Sequence, residues 1–570
     1  MTENRSAHVP DPLAPDMIMR NGRIVTVDER FGIAEALAVK HGRIVAVGSN
    51  EEIDGLRGRR TRVLDLEGAA VLPGLNDSHM HLPWFAVSKP PYKLDLSYPN
   101  VRSIRDCRRL LAEAVARSKA GQWIIGEGWN AECLDELRAD PGRILGKSDL
   151  DDIAPDNPVY FIEFSFHNAW VNSRTLELAG IDRHTAAPQG GVIVKDPKSG
   201  EPVGLLLEKA RDLVERVRPE LTREEVKQAV LQNARYLSEL GITSITSAAE
   251  TPPDVAMYSE IATAGQYPVR LNLLLMWAAY GLGGSLADLQ EALRYVGTGS
   301  GFGNEWVKIG GVKIFADGIP PARTAWVYDA YPDGSHGGLV VQGASDEERL
   351  EHFRRMVFCC HERGFQVAVH ACGDRAVDAA VQAFIDALRR KPWDARHYTI
   401  HGDWIRPETM KRMAEWRLGH TTQAVIKYSI SDTIDRLVGP ERSGDQMPLK
   451  SLLDAGVVAA NSSDAPCASP DWRIGLQYSI VRESRSSGTV SGPHQRLTVQ
   501  EAIRTYTILP AWLEHAERVK GSIEAGKYAD FCILARDITA IDPHEIMSTP
   551  ILMTIVGGRE VYSDGTLAIR

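Results

Sequence analysis

Two histidines at positions i and i+2, His79 and His81, close the run Val71-Leu72-Pro73-Gly74-Leu75-Asn76-Asp77-Ser78-His79-Met80-His81. On an extended backbone such residues point to one side. A strand end built this way offers two neutral nitrogen donors, half of a divalent-metal site. A divalent ion held by neutral imidazoles keeps most of its charge and acidifies a bound water from a pKa near 16 to about 7, which is hydrolytic chemistry. The chain has 16 histidines, so the pair alone does not separate ligands from ordinary hydrogen-bonded side chains.

The other half of a site lies downstream. Lys313 sits among apolar neighbours in Val312-Lys313-Ile314-Phe315-Ala316-Asp317-Gly318, Gln366-Val367-Ala368-Val369-His370 ends an apolar alternation on a histidine, and His397-Tyr398-Thr399-Ile400-His401 does the same. Val457-Val458-Ala459-Ala460-Asn461-Ser462-Ser463-Asp464 runs from an apolar strand into a small-residue turn with a carboxylate. Each candidate falls at or near the C-terminal end of an expected strand, where barrel enzymes gather their catalytic groups.

The elements that must position these groups can be counted without the motifs. Expected strands are Ala70 to Asn76, Ser244 to Ser247 with its approach from Ile242, Val269 to Met276, Ile309 to Phe315, Gln366 to His370, His397 to His401, Gly419 to Gln423 and Val457 to Ser462. That makes eight. Segments with 3.6-residue apolar spacing, such as Glu347 to Arg363 and Asp374 to Arg389, separate most of them, the alternation of an α/β fold closed as a (β/α)8 TIM barrel. Short alternating strands recur at both ends, in Met17 to Leu66 and after Gly521. The expected organisation is therefore a small β-sandwich domain from 1–69 and 519–570, a barrel over 70–518, and an insertion at about 85–240 with strands of its own at Trp123 to Glu127 and Val159 to Phe164.

These motifs carry a resemblance. P-G-L-x-D-S-H-x-H at 73–81, V-K-I-F-A-D-G at 312–318, H-A-C-G-D-R-A-V at 370–377, R-H-x-x-x-H at 396–401 and S-D-A-P at 463–466 resemble the amidohydrolase superfamily of metal-dependent hydrolases. The likeness is to its YtcJ-like branch (amidohydrolase family 3), which includes N-substituted formamide deformylase. It implies His79, His81, His370 and His401 as nitrogen ligands of a divalent metal, Zn2+ by default and one or two ions per chain. It also implies Asp464 as ligand and proton shuttle, and Lys313 as an N6-carboxylated bridge. Two departures stand out: Ile400 occupies a place where the family commonly has an acid, and Asp317-Gly318-Ile319-Pro320-Pro321 replaces the usual D-G-S, so a different loop and substrate are expected.

The residue types suit that chemistry. Two close cations repel; an ordinary lysine, with a pKa near 10.4, would add to the repulsion, whereas its carbamate is a two-oxygen anion able to bridge them. Asp464 can take the proton of the attacking water and deliver it to a leaving nitrogen. Other readings exist for each residue. Lys313 could pair with Asp317 in a salt bridge, and His397 competes with His401, which is preferred because it lies nearer the strand's C-terminal end. Cys372 and Cys467 read as small packing residues.

In the insertion, Trp129, His167 and Trp170 would supply an apolar wall and one polar donor, with His167 donating to the substrate carbonyl or its developing oxyanion. Trp84, just after the histidine pair, would join that wall. The alternative is that these aromatics form the insertion's own core. The expected activity is hydrolysis of a carbon–nitrogen bond in a small non-peptide amide, such as an N-substituted formamide, by metal-activated hydroxide. A carbamate, cyclic amide or ester would suit the same site, and a non-catalytic small-molecule-binding or regulatory relative is the reading from another class.

Composition narrows the partners to a small-molecule substrate. A formal net charge of −10 argues against a nucleic-acid or anionic-membrane surface. No apolar run approaches the roughly 20 residues that span a bilayer, and the N-terminus lacks a basic start followed by an apolar core. Seven scattered cysteines without a C-x-x-C suit reduced thiols and a cytoplasmic location. A homodimer is compatible with all of this.

Overall fold

The computed structural model describes residues 13–98, 100–140, 142–164, 166, 168–188, 191–276 and 285–569. The chain divides into two compact units, 1–82 together with 231–570, and 83–230.

At the centre of the first unit, eight strands form one parallel sheet in chain order: Leu75–Met80, Ile242–Glu250, Arg270–Leu275, Val307–Phe315, Gln366–Ala371, Tyr398–His401, Gly419–Thr422 and Val458–Asn461. Most of their residues are buried, as expected where helices cover one face and side chains fill the other. The helices follow the strands, with Asp346–Glu362 and Asp374–Arg390 flanking the fifth. The second of these buries Val377, Ala380, Val381, Phe384 and Leu388, a stripe at three- and four-residue spacing.

Bonds at the C-terminal ends of the first and last strands draw this sheet into a barrel. Ser78 Oγ donates to the Asn461 carbonyl (2.9 Å) and Ser463 N–H to Asp77 Oδ1 (3.0 Å). Asp464 N–H donates to the His79 carbonyl and His81 N–H to the Ala465 carbonyl, both at 2.8 Å. The seam therefore runs through the segments that carry His79, His81 and Asp464.

One expected strand is divided. Ala70–Pro73 belongs to a different sheet, where it pairs with Arg23–Val25 and with Phe531–Leu534, and the barrel strand begins only at Leu75. The break falls at Gly74, where any side chain would run into Thr243. That second sheet has six strands, with Ile33–Ala34, Ile551–Val556 and Arg559–Ser563 completing it from both ends of the chain. It packs on a four-stranded sheet of Met17–Arg20, Ala36–Lys40, Arg43–Gly48 and Arg62–Asp65 through Met17, Met19, Leu37, Val39, Ile24, Val71, Phe531 and Met553. Two sheets sharing one apolar interior make a sandwich. The Arg270 guanidinium, at the start of the third barrel strand, donates to both carboxylate oxygens of Asp530 (2.8 and 3.0 Å) and stacks on Trp306 and Tyr528, which fastens this sandwich to the barrel.

The unit at 83–230 is built on a six-stranded mixed sheet whose central strands are Ile124–Trp129, Val159–Glu163, Asn168–Val171 and Pro202–Glu208. It has apolar clusters of its own, one around Phe161 and Trp170 and another around Tyr160 and Leu206. Among the described residues, no helix of the chain is long and apolar enough to cross a membrane.

Candidate metal centre

Lys313, His370 and His401 come from the fourth, fifth and sixth barrel strands, while His79 and His81 close the first and Asp464 follows the eighth. All six side chains belong to buried residues. Strand register sets their depth: Phe315 pairs with His370, which puts Lys313 two residues deeper in the barrel, and Ala371 pairs with His401. The resulting cluster is tight. Asp464 Oδ1 lies 3.2 Å from His79 Nε2 and 3.3 Å from His81 Nε2. Lys313 Nζ is 3.4 Å from His79 Nε2, and the His370 and His401 rings are 4.3 Å apart between centroids.

The backbone is strained here. His401 has φ of +75° and Asp464 of +57°, the left-handed region that non-glycine residues seldom adopt, and such strain gathers at functional sites. The Asp464 conformation is held by Asp77, whose carboxylate accepts from the Ser463 amide (3.0 Å) and from Ser463 Oγ (2.5 Å).

Three of the four rings have their proton placed by an oxygen acceptor. His81 Nδ1–H donates to the Ala248 carbonyl (3.1 Å), His401 Nδ1–H to Gln423 Oε1 (2.8 Å), and His370 Nε2–H to the Gly318 carbonyl (3.3 Å). Fixing one ring nitrogen this way is how proteins aim the other at a metal. Burial, followed by the charge of Lys313, holds His79 and His370 down to about 3, and burial likewise lowers His401. Burial would raise the Asp464 carboxyl, but the His79 and His81 edges facing it keep it well below its ordinary value. His79, His370 and His401 are therefore neutral imidazoles beside an ionised carboxylate.

That arrangement fits a cation. His81 Nε2 lies 3.3 Å from an Asp464 carboxylate oxygen while its Nδ1–H is given to the Ala248 carbonyl, so a proton or a metal ion can join the ring to the carboxylate. His79 Nδ1 and Asp464 Oδ1 are buried without a hydrogen-bond partner, an arrangement native interiors avoid unless something else satisfies it. Donor atoms of His79, His81 and Asp464 lie within 4.8 Å of one another. A second such group, Asp317, His370 and Cys372, lies on the fourth and fifth strand ends, and the His401 ring stands between the two, 5.7 Å from His79 and 4.3 Å from His370 between centroids.

Lys313 has no ion pair with any described carboxylate; its Nζ lies over the Phe315 ring, 4.8 Å from the centroid. Burial brings it down to about 8. Its supposed partner Asp317 is engaged elsewhere, accepting from the backbone amides of Trp326, Cys372 and Gly373 at 2.8 to 2.9 Å. The loop after the fourth strand needs that carboxylate to fold back on the fifth.

His397 is drawn into the core instead. Its Nδ1 accepts the Val367 amide, its Nε2–H donates to His361 Nδ1 (both 2.9 Å), and His361 Nε2–H donates to the Lys391 carbonyl. Cys372 is buried beside His370, with Sγ 3.5 Å from Nε2, and burial pushes its thiol well up; Cys467 is exposed.

The expected substrate wall takes another form. Trp129 and Trp170 are core residues of the 83–230 unit, packed edge to face with each other, their indole N–H groups given to the carbonyls of Phe161 and Gly146. Both are almost wholly buried, so neither offers a face to a ligand. Trp84 is half-buried on the short helix Leu82–Ala86. His167 lies outside the described residues.

Gln423 and the carbonyls of Ala248 and Gly318, which set the ring tautomers, were not foreseen from sequence. Gln423 closes an expected strand, which is the one signal it carries.

Comparison with known proteins agrees with this geometry. The sequence model described as "Amidohydrolase family" matches residues 62–562. The YtcJ protein of Bacillus subtilis is 32% identical over 96% of this chain and 99% of its own length. An N-substituted formamide deformylase of Arthrobacter pascens is 27% identical over 95% of this chain and 97% of its own. Among solved structures, an uncharacterized metal-dependent hydrolase from Pyrococcus horikoshii superposes with a TM-score of 0.71 at 24% identity, covering 93% of this chain and 99% of the other.

Proposed function

We propose, because this chain belongs to the amidohydrolase family, that its buried cluster hydrolyses the carbon–nitrogen bond of a small non-peptide amide, with N-substituted formamides as the first class. The observation that carries the reading is the convergence of the donor atoms of His79, His81 and Asp464 at the C-terminal mouth of the barrel, with His79 Nδ1 and Asp464 Oδ1 buried without a hydrogen-bond partner. The substrate class rests on likeness to the formamide deformylase.

A divalent ion held here would lend acidity to a water and positive charge to a carbonyl oxygen. The chain's own residues do the rest. Asp464, kept ionised and bound through Ser463 to Asp77, accepts the proton of the attacking water. It returns that proton to the leaving nitrogen, which would otherwise depart as a poor amide anion. His81, His370 and His401 are held by their oxygen partners in single tautomers. Lys313, brought down to about 8 by burial, is suited to react as its neutral amine with carbon dioxide, releasing a proton, and the carbamate would supply an anion for two cations.

The test is a panel of N-alkyl and N-aryl formamides, carbamates, cyclic amides and esters, offered to protein dialysed against chelator and then reloaded with Zn2+, Mn2+ or Co2+. Formate release from a formamide, lost on chelation and restored by a metal, is the expected result. Turnover of no amide under any loading contradicts the reading.

A further inference from the structure

We infer that Glu250 is a positioning residue for the ligand His81, acting through Ser247 and the turn at Ala249; this rests on the metal site proposed above. Glu250 ends the second barrel strand, is 1% exposed, and lies outside the proposed ligand cluster. Its Oε1 accepts the hydroxyl hydrogen of Ser247, and Ser247 Oγ accepts in turn from the backbone amide of Leu82 (3.1 Å). Leu82 follows His81. One residue along the same strand, the Ala248 carbonyl takes the Nδ1 proton of His81. Two adjacent residues of the second strand thus grip two adjacent residues at the end of the first.

The grip depends on an irregular backbone. The ladder between the second and third strands shifts register between Ala248 and Glu250, and Ala249 between them has φ of +66°. Such a conformation persists only where the surroundings hold it. Glu250 is anchored on both sides of its Cα: its carbonyl accepts from the Met276 amide (2.9 Å) and its side chain is tied to Ser247. With Glu250 fixed, the bulge at Ala249 turns the Ala248 carbonyl toward the His81 ring.

The price in stability shows that the acid is not there for packing. Glu250 Oε2 and the hydroxyls of Tyr258 and Tyr267 are all buried without a hydrogen-bond partner, which is unfavourable for each group. An apolar residue would remove the Glu250 share of that penalty but would leave the Ser247 hydroxyl, and so the Leu82 amide, without its fixed partner.

The experiment is titration of the chelator-treated full-length protein with Co2+, followed by the visible absorption of the bound ion, in the parent and in Glu250→Ala, Ser247→Ala and Glu250→Gln. Loss of an outer partner of a ligating histidine typically weakens metal binding about 10- to 100-fold. The two alanine variants should show that loss and a changed cobalt spectrum, while Glu250→Gln, whose amide oxygen can still accept from Ser247, keeps the parental affinity and spectrum. Ser247→Ala tests the link with the smallest change of volume should Glu250→Ala fail to fold. Parental affinity and spectrum in the alanine variants overturn the proposal, as does a glutamine variant as weak as alanine. A parent that binds no cobalt instead overturns the metal site itself, and this proposal with it.

Discussion

Asp464→Asn should lower kcat/KM by about 10³-fold or more while the protein stays folded. The amide keeps the volume of the carboxylate and an oxygen for the facing imidazoles, but it has no negative charge and cannot carry a proton from water to the leaving nitrogen. General acid–base catalysis alone contributes about 10²- to 10⁴-fold. Loss of the anion also removes the charge that would hold a cation beside His79 and His81, whose Nε2 atoms lie 3.2 and 3.3 Å from the carboxylate. The check is steady-state kinetics on the substrate found in the amide panel, with circular dichroism to confirm the fold. Activity within about tenfold of the parent would show that the proton travels by another group.

Lys313→Ala should be nearly as damaging, by about 10³-fold, equivalent to about 4 kcal/mol of transition-state stabilisation. Lys313 is fully buried at a layer below His370, close to His79, without an ion pair to any described carboxylate. Burial disfavours the charged form of Lys313, which suits a lysine that carries an anion between two metals. Alanine leaves room for a small carboxylate in its place, so added propionate should recover part of the lost rate in Lys313→Ala and none in Asp464→Asn. Full activity in Lys313→Ala, or a loss of rate with metal content unchanged and no response to propionate, would contradict the bridging role.

Much of the barrel was legible because its signals are local and repeated. Each candidate ligand ends an apolar run of strand length, and eight such runs in order imply the alternation that the structure contains. The positions of the candidate residues came with them, since a histidine at the close of a strand already has its place in a barrel. What stayed hidden depends on partners distant in sequence. Asp317, four residues beyond Lys313, invites a salt bridge on spacing alone, yet it binds three amides of the 326 and 372–373 segments. The tautomers of His81 and His370 are set by backbone carbonyls, which every residue carries, so no residue type announces them. Trp129 and Trp170 read equally as pocket or core, and burial assigns both to the core. The apolar run is continuous across Gly74 and reads as one strand, while the break there is enforced by Thr243, far along the chain.

We propose that the His79, His81, Lys313, His370, His401 and Asp464 cluster is a metal centre. Elemental analysis of divalent metal per chain addresses it most directly, on protein grown in metal-replete medium and purified without chelator, beside His79→Ala and Lys313→Ala. Close to two ions in the parent, with fewer in both variants, is the predicted result. A parent that carries no metal, or a His79→Ala variant that carries as much as the parent, would contradict it.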